Sequence, residues 1–284
     1  MRELSAASPL SQAAQDLLRE LEPTVSSGGP AQPQEVRAIS FSELFLADNT
    51  AGSKIFPLYY DLFQRSFPDR CGRPTLDYYL HALGEGKSDA QILAYTVGGE
   101  IVGGRHLRIL DLEDERFAVA DFTWVSPSHR GSGFGTAIGR RTDELLRAQG
   151  VKFLVGEISD PQVISEEQRK LDALSGVSLE KRLSFWQRYG YLKLDAPYIQ
   201  PVLPGREDPV RYLMFAYKPL VEGVSNEGMH KQKYLAVYHS MHGFIPNIEE
   251  NESYLEIAES LKGHTFLRAL ALHQPRSRIQ RSLP

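Results

Sequence analysis

The segment 116–149 constrains the fold of this chain most strongly. Residues 116–125 have the composition of a buried strand, and residues 133–149 carry an apolar stripe at helical spacing. A second strand is predicted at 152–158, directly after this helix. A strand, a helix and a strand joined by short connections predict a right-handed parallel crossover, so this part of the fold is α/β.

A hairpin precedes this crossover. Strands are predicted at 91–97 and 101–110, and the turn Gly98-Gly99-Glu100 between them suits positive φ. Because hairpin strands are antiparallel and the crossover is parallel, the sheet is expected to be mixed. Weaker patterns predict helices at 55–67, 75–83, 178–189, 226–241 and 249–261, and extended segments at 36–41, 192–203 and 210–217.

The composition along the chain predicts three regions. Residues 22–35 are rich in Pro, Gly and Ser and lack apolar periodicity, so 1–35 is expected to be a flexible tail and linker. Residues 36–218 form the predicted main folded domain. Residues 219–284 are expected to form a C-terminal helical extension that ends in a basic tail.

Bulk properties exclude several classes of protein. Charged residues make up 24% of the chain, and no stretch approaches the roughly 18 apolar residues of a membrane span. The net charge of -4 disfavours nonspecific binding to nucleic acid. The first residues lack the apolar centre of a secretory signal, and the single cysteine, Cys71, rules out an intrachain disulfide. We therefore expect a cytoplasmic protein without nucleic acid or membrane partners.

The loop between the strand and the helix has the chemistry of an anion site. Gly131, Gly133 and Gly135 lack β-carbons, so backbone N–H groups can approach an anion closely. The helix that begins there adds its free amides and its positive dipole end, and Arg130 and His129 add positive charge. This pattern predicts a pyrophosphate site. The alternative is a tight turn that only leads into the helix.

Two other phosphate-binding loops fit less well. A Walker loop needs a lysine before the hydroxyl residue, and Gly135-Thr136 has none. A dinucleotide fingerprint would use Glu157 as the ribose-binding acid, but the glycines here run G-x-G-x-G and a Pro-containing loop separates them from the strand.

Residues 125–135, V-S-P-S-H-R-G-S-G-F-G, resemble the acyl-CoA-binding motif A of the GNAT N-acetyltransferase superfamily. The Arg/Gln-x-x-Gly-x-Gly/Ala core of that motif maps to Arg130, Gly133 and Gly135. Residues 185–191, F-W-Q-R-Y-G-Y, are similar to the end of the family's motif B. The resemblance covers roughly residues 36–217.

The resemblance implies the GNAT fold, a mixed and mostly antiparallel central sheet flanked by helices. It also implies that the strands before and after the motif A helix splay apart around the pantetheine arm of acyl-CoA, most simply acetyl-CoA. The residues implied to contact this donor are Trp124, Val125, Arg130, Gly131, Ser132, Gly133, Phe134, Gly135, Thr136 and Trp186. The implied reaction is direct attack of an amine on the thioester, which needs a base for the nucleophile.

Glu157 and Asp121 are the candidate bases. Glu157 lies at the end of the strand 152–158, and Asp121 lies on the preceding strand beside the expected cleft. Both strands are apolar on both faces, so partial desolvation is expected to raise the pKa of either carboxylate. The alternative for each is a carboxylate bonded to a backbone amide at a strand end.

The acid that would protonate the leaving thiolate departs from the family pattern. Many members carry a tyrosine four residues before the motif B glycine, and this chain has Trp186 there. An indole cannot supply the proton. Tyr191 is the first candidate replacement, with Tyr189 and Tyr198 as alternatives, or the thiolate leaves unaided.

The acceptor is expected to be a small-molecule amine, and a homodimer is an option for assembly. Its pocket is predicted from 55–83, 195–204 and the C-terminal extension. Two alternative functions stay open, namely transfer of a longer acyl chain from CoA or a carrier protein, and a noncatalytic acyl-CoA sensor. His239 and His242 are three apart on a predicted helix without a further ligand type nearby, so we expect a solvated helix face and no metal.

Overall fold

The computed structural model describes residues 36–67, 73–86, 90–112, 115–203 and 206–274. The predicted N-terminal tail, Cys71 and the basic residues of the predicted C-terminal tail lie outside the described residues. Nine described strands form one sheet in the order β1-β2-β3-β4-β5-β7-β6-β9-β8. The strands are β1 Arg37–Ser40, β2 Ala90–Val97, β3 Glu100–Leu112, β4 Glu115–Val125, β5 Val151–Ser159, β6 Leu192–Leu194, β7 Leu213–Pro219, β8 Gly228–His230 and β9 Phe266–Leu270.

Eight described α-helices flank this sheet. They are α1 Phe41–Ala47, α2 Asn49–Ser66, α3 Leu76–Gly84, α4 Phe134–Ala148, α5 Glu166–Ala173, α6 Leu179–Arg188, α7 Lys231–Met241 and α8 Glu252–Ser260. Among the described strand pairs, β4 with β5 is parallel and the others are antiparallel. The predicted mixed, mostly antiparallel α/β sheet flanked by helices is therefore present.

The β2–β3 hairpin forms where the sequence predicts it. Gly98 and Gly99 have φ of 58° and 79°, a backbone region that glycine adopts without a steric penalty. Helix α2 begins earlier than predicted, at Asn49, because the side chain of Asp48 accepts a hydrogen bond from the Ala51 N–H and caps the helix. Pro57 lies inside this helix, close to the start expected from the sequence.

Side chains alternate along the strands between two faces of the sheet. On one face, Leu154 packs in a cluster with Ile138 of α4 and Leu183 of α6. On the other, Phe153 belongs to a cluster with Tyr238 of α7, while α1, α2 and α3 cover the part of this face nearer β1. We call these the α4 face and the α7 face.

The parallel strands β4 and β5 separate in the centre of the sheet. Their parallel pairing begins at Arg116 with Val151 and ends at Ala120 with Gly156. Both strands continue, but β4 then pairs only with β3 and β5 only with β7. A gap therefore opens between residues 121–125 and residues 157–159, and we call this gap the fork.

The C-terminal region differs from the predicted helical extension. Helices α7 and α8 are present, but residues 228–230 form β8 rather than the start of a helix, and β9 follows α8. β9 pairs with β6 through Lys193 with Leu270 and Leu194 with Ala269. The sheet therefore continues across the predicted boundary between residues 218 and 219. The division into a domain and an extension stays a prediction.

None of the helices in the described part of the chain combines the length and the apolarity that a membrane crossing requires.

Gly104 of β3 provides a test of the packing under α2. A β-carbon at this position would lie 2.6 Å from Trp124 Nε1 and against the Tyr59 hydroxyl. We expect Gly104→Ala to lower the free energy of unfolding by about 1–3 kcal/mol, the usual cost of overpacking a core. Denaturant unfolding measures this change.

Gly84→Ala is the matched control, because a β-carbon there meets only Asn49 Nδ2, at 3.8 Å. Alanine at an exposed helical position should leave the stability unchanged or raise it by about 0.5–1 kcal/mol. Equal unfolding midpoints for the two variants would contradict the packing described here.

Candidate active site

The glycine loop leaves open space at the start of α4. After β4 ends at Val125, a short 3-10 turn at Pro127–His129 leads to Gly131 and Gly133, whose φ values are 83° and 84°. No atom would lie within 4 Å of a β-carbon at either glycine. The first N–H groups of a helix have no partner within it and carry the positive end of its dipole. This loop can therefore bind an anion such as a pyrophosphate.

The predicted donor-binding residues of the loop have different surroundings. Ser132 and Thr136 are exposed, and Phe134 is half-buried. Gly135 has a packing role, because a β-carbon there would lie 3.2 Å from Phe185 Cε2 of α6. Its missing side chain thus allows α6 to approach α4. From the sequence, the expected role of Gly135 was only to let backbone N–H groups approach an anion.

Arg130 fixes the loop rather than pointing freely at its open side. Its Nε donates to the Val125 carbonyl at 3.1 Å, and its Nη1 donates to the Ser175 carbonyl at 2.6 Å. The guanidinium therefore ties the end of β4 to the connection between α5 and α6. The contact of Arg130 with the donor stays a prediction. From this position, its positive charge would act on a bound anion without a direct contact.

β4 presents an unpaired edge to the fork. Residues 122–125 pair with β3 on one side, and on the other side they face the fork. The Trp124 ring is buried on the α7 face, 5.3 Å from the Tyr59 ring. Trp124 can therefore meet a molecule in the fork only through its backbone.

Glu157 lies where β5 leaves β4. Its carboxylate accepts hydrogen bonds from the Tyr198 hydroxyl and, at 2.8 Å, from Gln200 Nε2. Burial raises the pKa of Glu157, and the hydrogen bonds from Tyr198 and Gln200 oppose part of that rise. The expected raised pKa of this carboxylate is therefore present. Tyr198 and Gln200 come from the segment that the sequence placed beside the acceptor pocket.

His242 extends this network from the end of α7. Its Nε2 lies 3.0 Å from the Tyr198 hydroxyl, and burial, aided by Arg108, lowers its pKa to about 3. The imidazole is thus neutral. Because the Tyr198 hydroxyl donates its proton to Glu157, the His242 Nε2–H donates to the Tyr198 oxygen. The prediction of a solvated helix face was wrong for His242, because the sheet covers this end of α7.

Asp121 is held by a cation. Arg108 binds it through two hydrogen bonds of 2.9 and 2.8 Å, and Arg108 also donates to the Met241 carbonyl at 2.8 Å. The charge of the carboxylate is therefore balanced by a guanidinium that also anchors the end of α7. This geometry favours a structural and electrostatic role for Asp121 over the proton-accepting role considered from the sequence.

Two of the candidate acids, Tyr191 and Tyr189, lie on the α4 face and are strongly held, whereas the third, Tyr198, bonds to Glu157 on the α7 face. The Tyr191 hydroxyl accepts a hydrogen bond from Arg105 Nη2 at 3.3 Å, and burial raises its pKa to about 12 although Arg105 lowers it. The Trp186 ring packs 5.2 Å from the Tyr191 ring. Tyr189 donates to the Gly139 carbonyl of α4. Proton release from these phenols is therefore unfavourable near neutral pH.

Sequence reasoning missed Arg105, Arg108, Gln200 and His242 as parts of this site. The sequence carries little signal for Arg105, because the same strand also holds His106, Arg108 and Asp111. The other contacts depend on long-range packing. In the described parts of the chain, no three His, Cys, Asp or Glu side chains converge in a way that would hold a metal ion.

Comparisons with known proteins agree with this geometry. The model of the acetyltransferase (GNAT) family matches residues 56–165, which include β4, the glycine loop, α4 and β5. No curated protein matches the sequence significantly.

Solved structures resemble the chain at low identity. A protein from Bacteroides thetaiotaomicron described as a GNAT-family acetyltransferase is 17% identical, with a TM-score of 0.49 over 73% of this chain and 96% of its own. A GNAT acetyltransferase from Elizabethkingia anophelis with acetyl-CoA bound is 15% identical, with a TM-score of 0.41 over 66% and 99%. The ribosomal-protein-S18-alanine N-acetyltransferase of Escherichia coli is 16% identical, with a TM-score of 0.40 over 67% and 99%.

All three TM-scores lie below 0.5, so the assignment rests on the sequence match. Residues 56–165 therefore match the acetyltransferase (GNAT) family by sequence.

Proposed function

We propose that this protein transfers an acyl group, in the simplest case acetyl, from acyl-CoA directly to the amine of a small molecule. The observation that carries the proposal is the fork, because it opens beside the glycine loop and has the Glu157 carboxylate at its closed end. An anion site, an open strand edge and a candidate base thus lie in sequence along one cleft. The match of residues 56–165 to the acetyltransferase (GNAT) family model supports the donor half of the proposal.

The donor substrate would bind along the loop and the fork. The backbone amides around Gly131 and Gly133 would hold its pyrophosphate, as helix N-termini do for phosphate groups. The free edge of β4 would pair with the amides in the pantetheine arm of the donor. These amides would give the backbone of residues 122–125 the hydrogen bonds that β5 does not provide.

Glu157 would accept the proton of the attacking amine. A carboxylate with a raised pKa is a better base near neutral pH than an ordinary exposed one. Tyr198 and Gln200 would hold the carboxylate in one orientation while a lone pair remains available for the amine proton.

The acceptor would enter from the α7 face. The Glu157 carboxylate lies on this side of the fork, where Arg108 balances the charge of Asp121, and aromatic rings such as Phe122 and Phe63 pack on the same face. Negative charge beside aromatic surface suits a cationic amine. This arrangement supports an amine over an anionic acceptor.

The Glu157→Gln variant tests the base. We expect kcat to fall by roughly 10²–10⁴-fold while acetyl-CoA affinity stays unchanged, because the amide keeps the shape but accepts no proton. In the wild type, turnover should decrease as the pH falls through the raised pKa of Glu157, since protonation removes the base. Thiol release with a panel of amines measures both effects.

Glu259→Gln is the matched control, because Glu259 is exposed on α8 and pairs only with the nearby Lys262. It should retain wild-type turnover. Tight CoA binding without thiol release from any amine would contradict the transferase and favour the acyl-CoA sensor. A preference for long-chain donors would replace acetyl by a longer acyl group.

Gly133→Ala tests the donor site. A residue with a β-carbon is strained at φ of 84°, by about 1–2 kcal/mol, so the loop should shift away from the geometry that binds an anion. We expect CoA affinity, measured by calorimetry, to fall at least about tenfold.

Gly150→Ala is the matched control for this strain. Gly150 follows α4, has φ of 77° and likewise would have no atom within 4 Å of an added β-carbon. The control should lose similar stability and keep its CoA affinity. Equal loss of affinity in both variants would show that strain acts through the fold and not through the loop.

A further inference from the structure

Arg105 lies across the fork on the α4 face. It belongs to β3, its side chain is fully buried, and its Nε donates to Thr123 Oγ1 of β4 at 3.0 Å. Its Nη2 donates to the Tyr191 hydroxyl at 3.3 Å, and the Tyr191 ring lies 4.0 Å from the β-carbon position of Gly156 on β5. The guanidinium therefore connects the two sides of the fork close to the point where they part.

The charge of Arg105 lacks a neutralising partner. Among the described residues no carboxylate forms an ion pair with it, and its buried Nη1 has no hydrogen-bond partner. The rings of Trp186 and Tyr189 lie 5.9 and 5.8 Å from its guanidinium carbon and stabilise the cation only in part. A buried charge without a counter-ion is costly, which points to an anion that arrives with a substrate.

The two faces of the fork carry opposite chemistry. Glu157 lies on the α7 face with Phe153 and Val155, whereas Arg105 lies on the α4 face with the rings of α6. A reacting carbon within the fork would have a proton acceptor on one side. It would have a fixed cation on the other.

We infer that Arg105 stabilises the negative charge that develops on the sulfur of CoA as the thioester breaks. This inference rests on the proposed function. The amine nitrogen forms a bond to the thioester carbon, the carbon–sulfur bond breaks, and its electron pair stays on sulfur. The amine proton goes to Glu157, so the thiolate leaves as an anion paired with Arg105. No phenol then has to supply a proton, which accounts for a tryptophan at position 186.

Titration of the thiol of bound CoA tests this role directly. A free cysteine thiol has a pKa of about 8.5, and a neighbouring cation lowers the pKa of a thiol. We expect the thiol pKa of CoA bound to the wild type, followed by the ultraviolet absorbance of the thiolate, to be lower than that of free CoA by at least about one unit.

In Arg105→Gln the thiol pKa should return toward that of free CoA, and kcat should fall by roughly 10²-fold with little change in the KM for acetyl-CoA. Arg105→Lys should keep part of the shift, because it retains the charge. Arg116→Gln is the control, since Arg116 is exposed at the far end of β4 and should behave as the wild type.

The outcomes separate this inference from the proposed function. If CoA does not bind the wild type, the proposed function fails and the inference fails with it. If CoA binds the wild type and its thiol pKa is unshifted, only the role of Arg105 is overturned. This measurement uses the wild type alone, so it does not depend on whether Arg105→Gln folds. A second result would also overturn the role of Arg105: the wild type prefers malonyl-CoA, Arg105→Gln loses this preference, and the thiol pKa of bound CoA is unshifted. Arg105 would then bind a carboxylate on the acyl group.

Discussion

The separation of β4 from β5 is the constraint on which the rest of the site depends. Each strand keeps its outer neighbour, since β4 pairs with β3 as far as Val125 and β5 pairs with β7 as far as Ser159. Only their shared side opens, beyond Ala120 and Gly156. Backbone polar groups inside a protein need partners, so such an opening is stable only where water or a ligand with amide groups can enter. The fork is therefore open to water or to a ligand that carries amide groups.

The residues around the fork are held by interactions that restrict their chemistry. On the α4 face, Lys218 Nζ lies 3.3 Å from the centre of the Tyr189 ring and 2.5 Å from Asp143. Together with the bond from Tyr189 to Gly139, this pair fixes the phenol against α4. A rigid, buried tyrosine of this kind positions its neighbours well and exchanges protons poorly. The cation of Arg105 is consequently the group on this face best able to respond to a new negative charge.

Local sequence patterns predicted the strand, the glycine loop and the helix of the crossover. Glycines at 131 and 133, the strand before them and the amphipathic helix after them are each determined by interactions between near neighbours, so the crossover and its loop could be identified from sequence. Glu157 was identified for the same reason, as an acid at a predicted strand end. Gly135 shows the limit of this approach, because the reason for its missing side chain lies in Phe185, on a later helix.

The other half of the site depends on pairings that no local pattern encodes. Tyr198 and Gln200 meet Glu157 because β7 carries the chain back beside β5, and the short β6 gave no periodic signal. His242 was misassigned because a helix end looks exposed until the surface that covers it is known. Arg105 was missed because its aromatic neighbours from α6 lie far away in the sequence.

The position of His242 has a consequence for the order in which activity is acquired. β9 pairs with β6, and the end of α7 contacts both Tyr198 and, through the Met241 carbonyl, Arg108. During synthesis the glycine loop leaves the ribosome long before these residues do. Under the proposed function, a nascent chain would therefore acquire the proposed donor loop first and the network that holds Glu157 last.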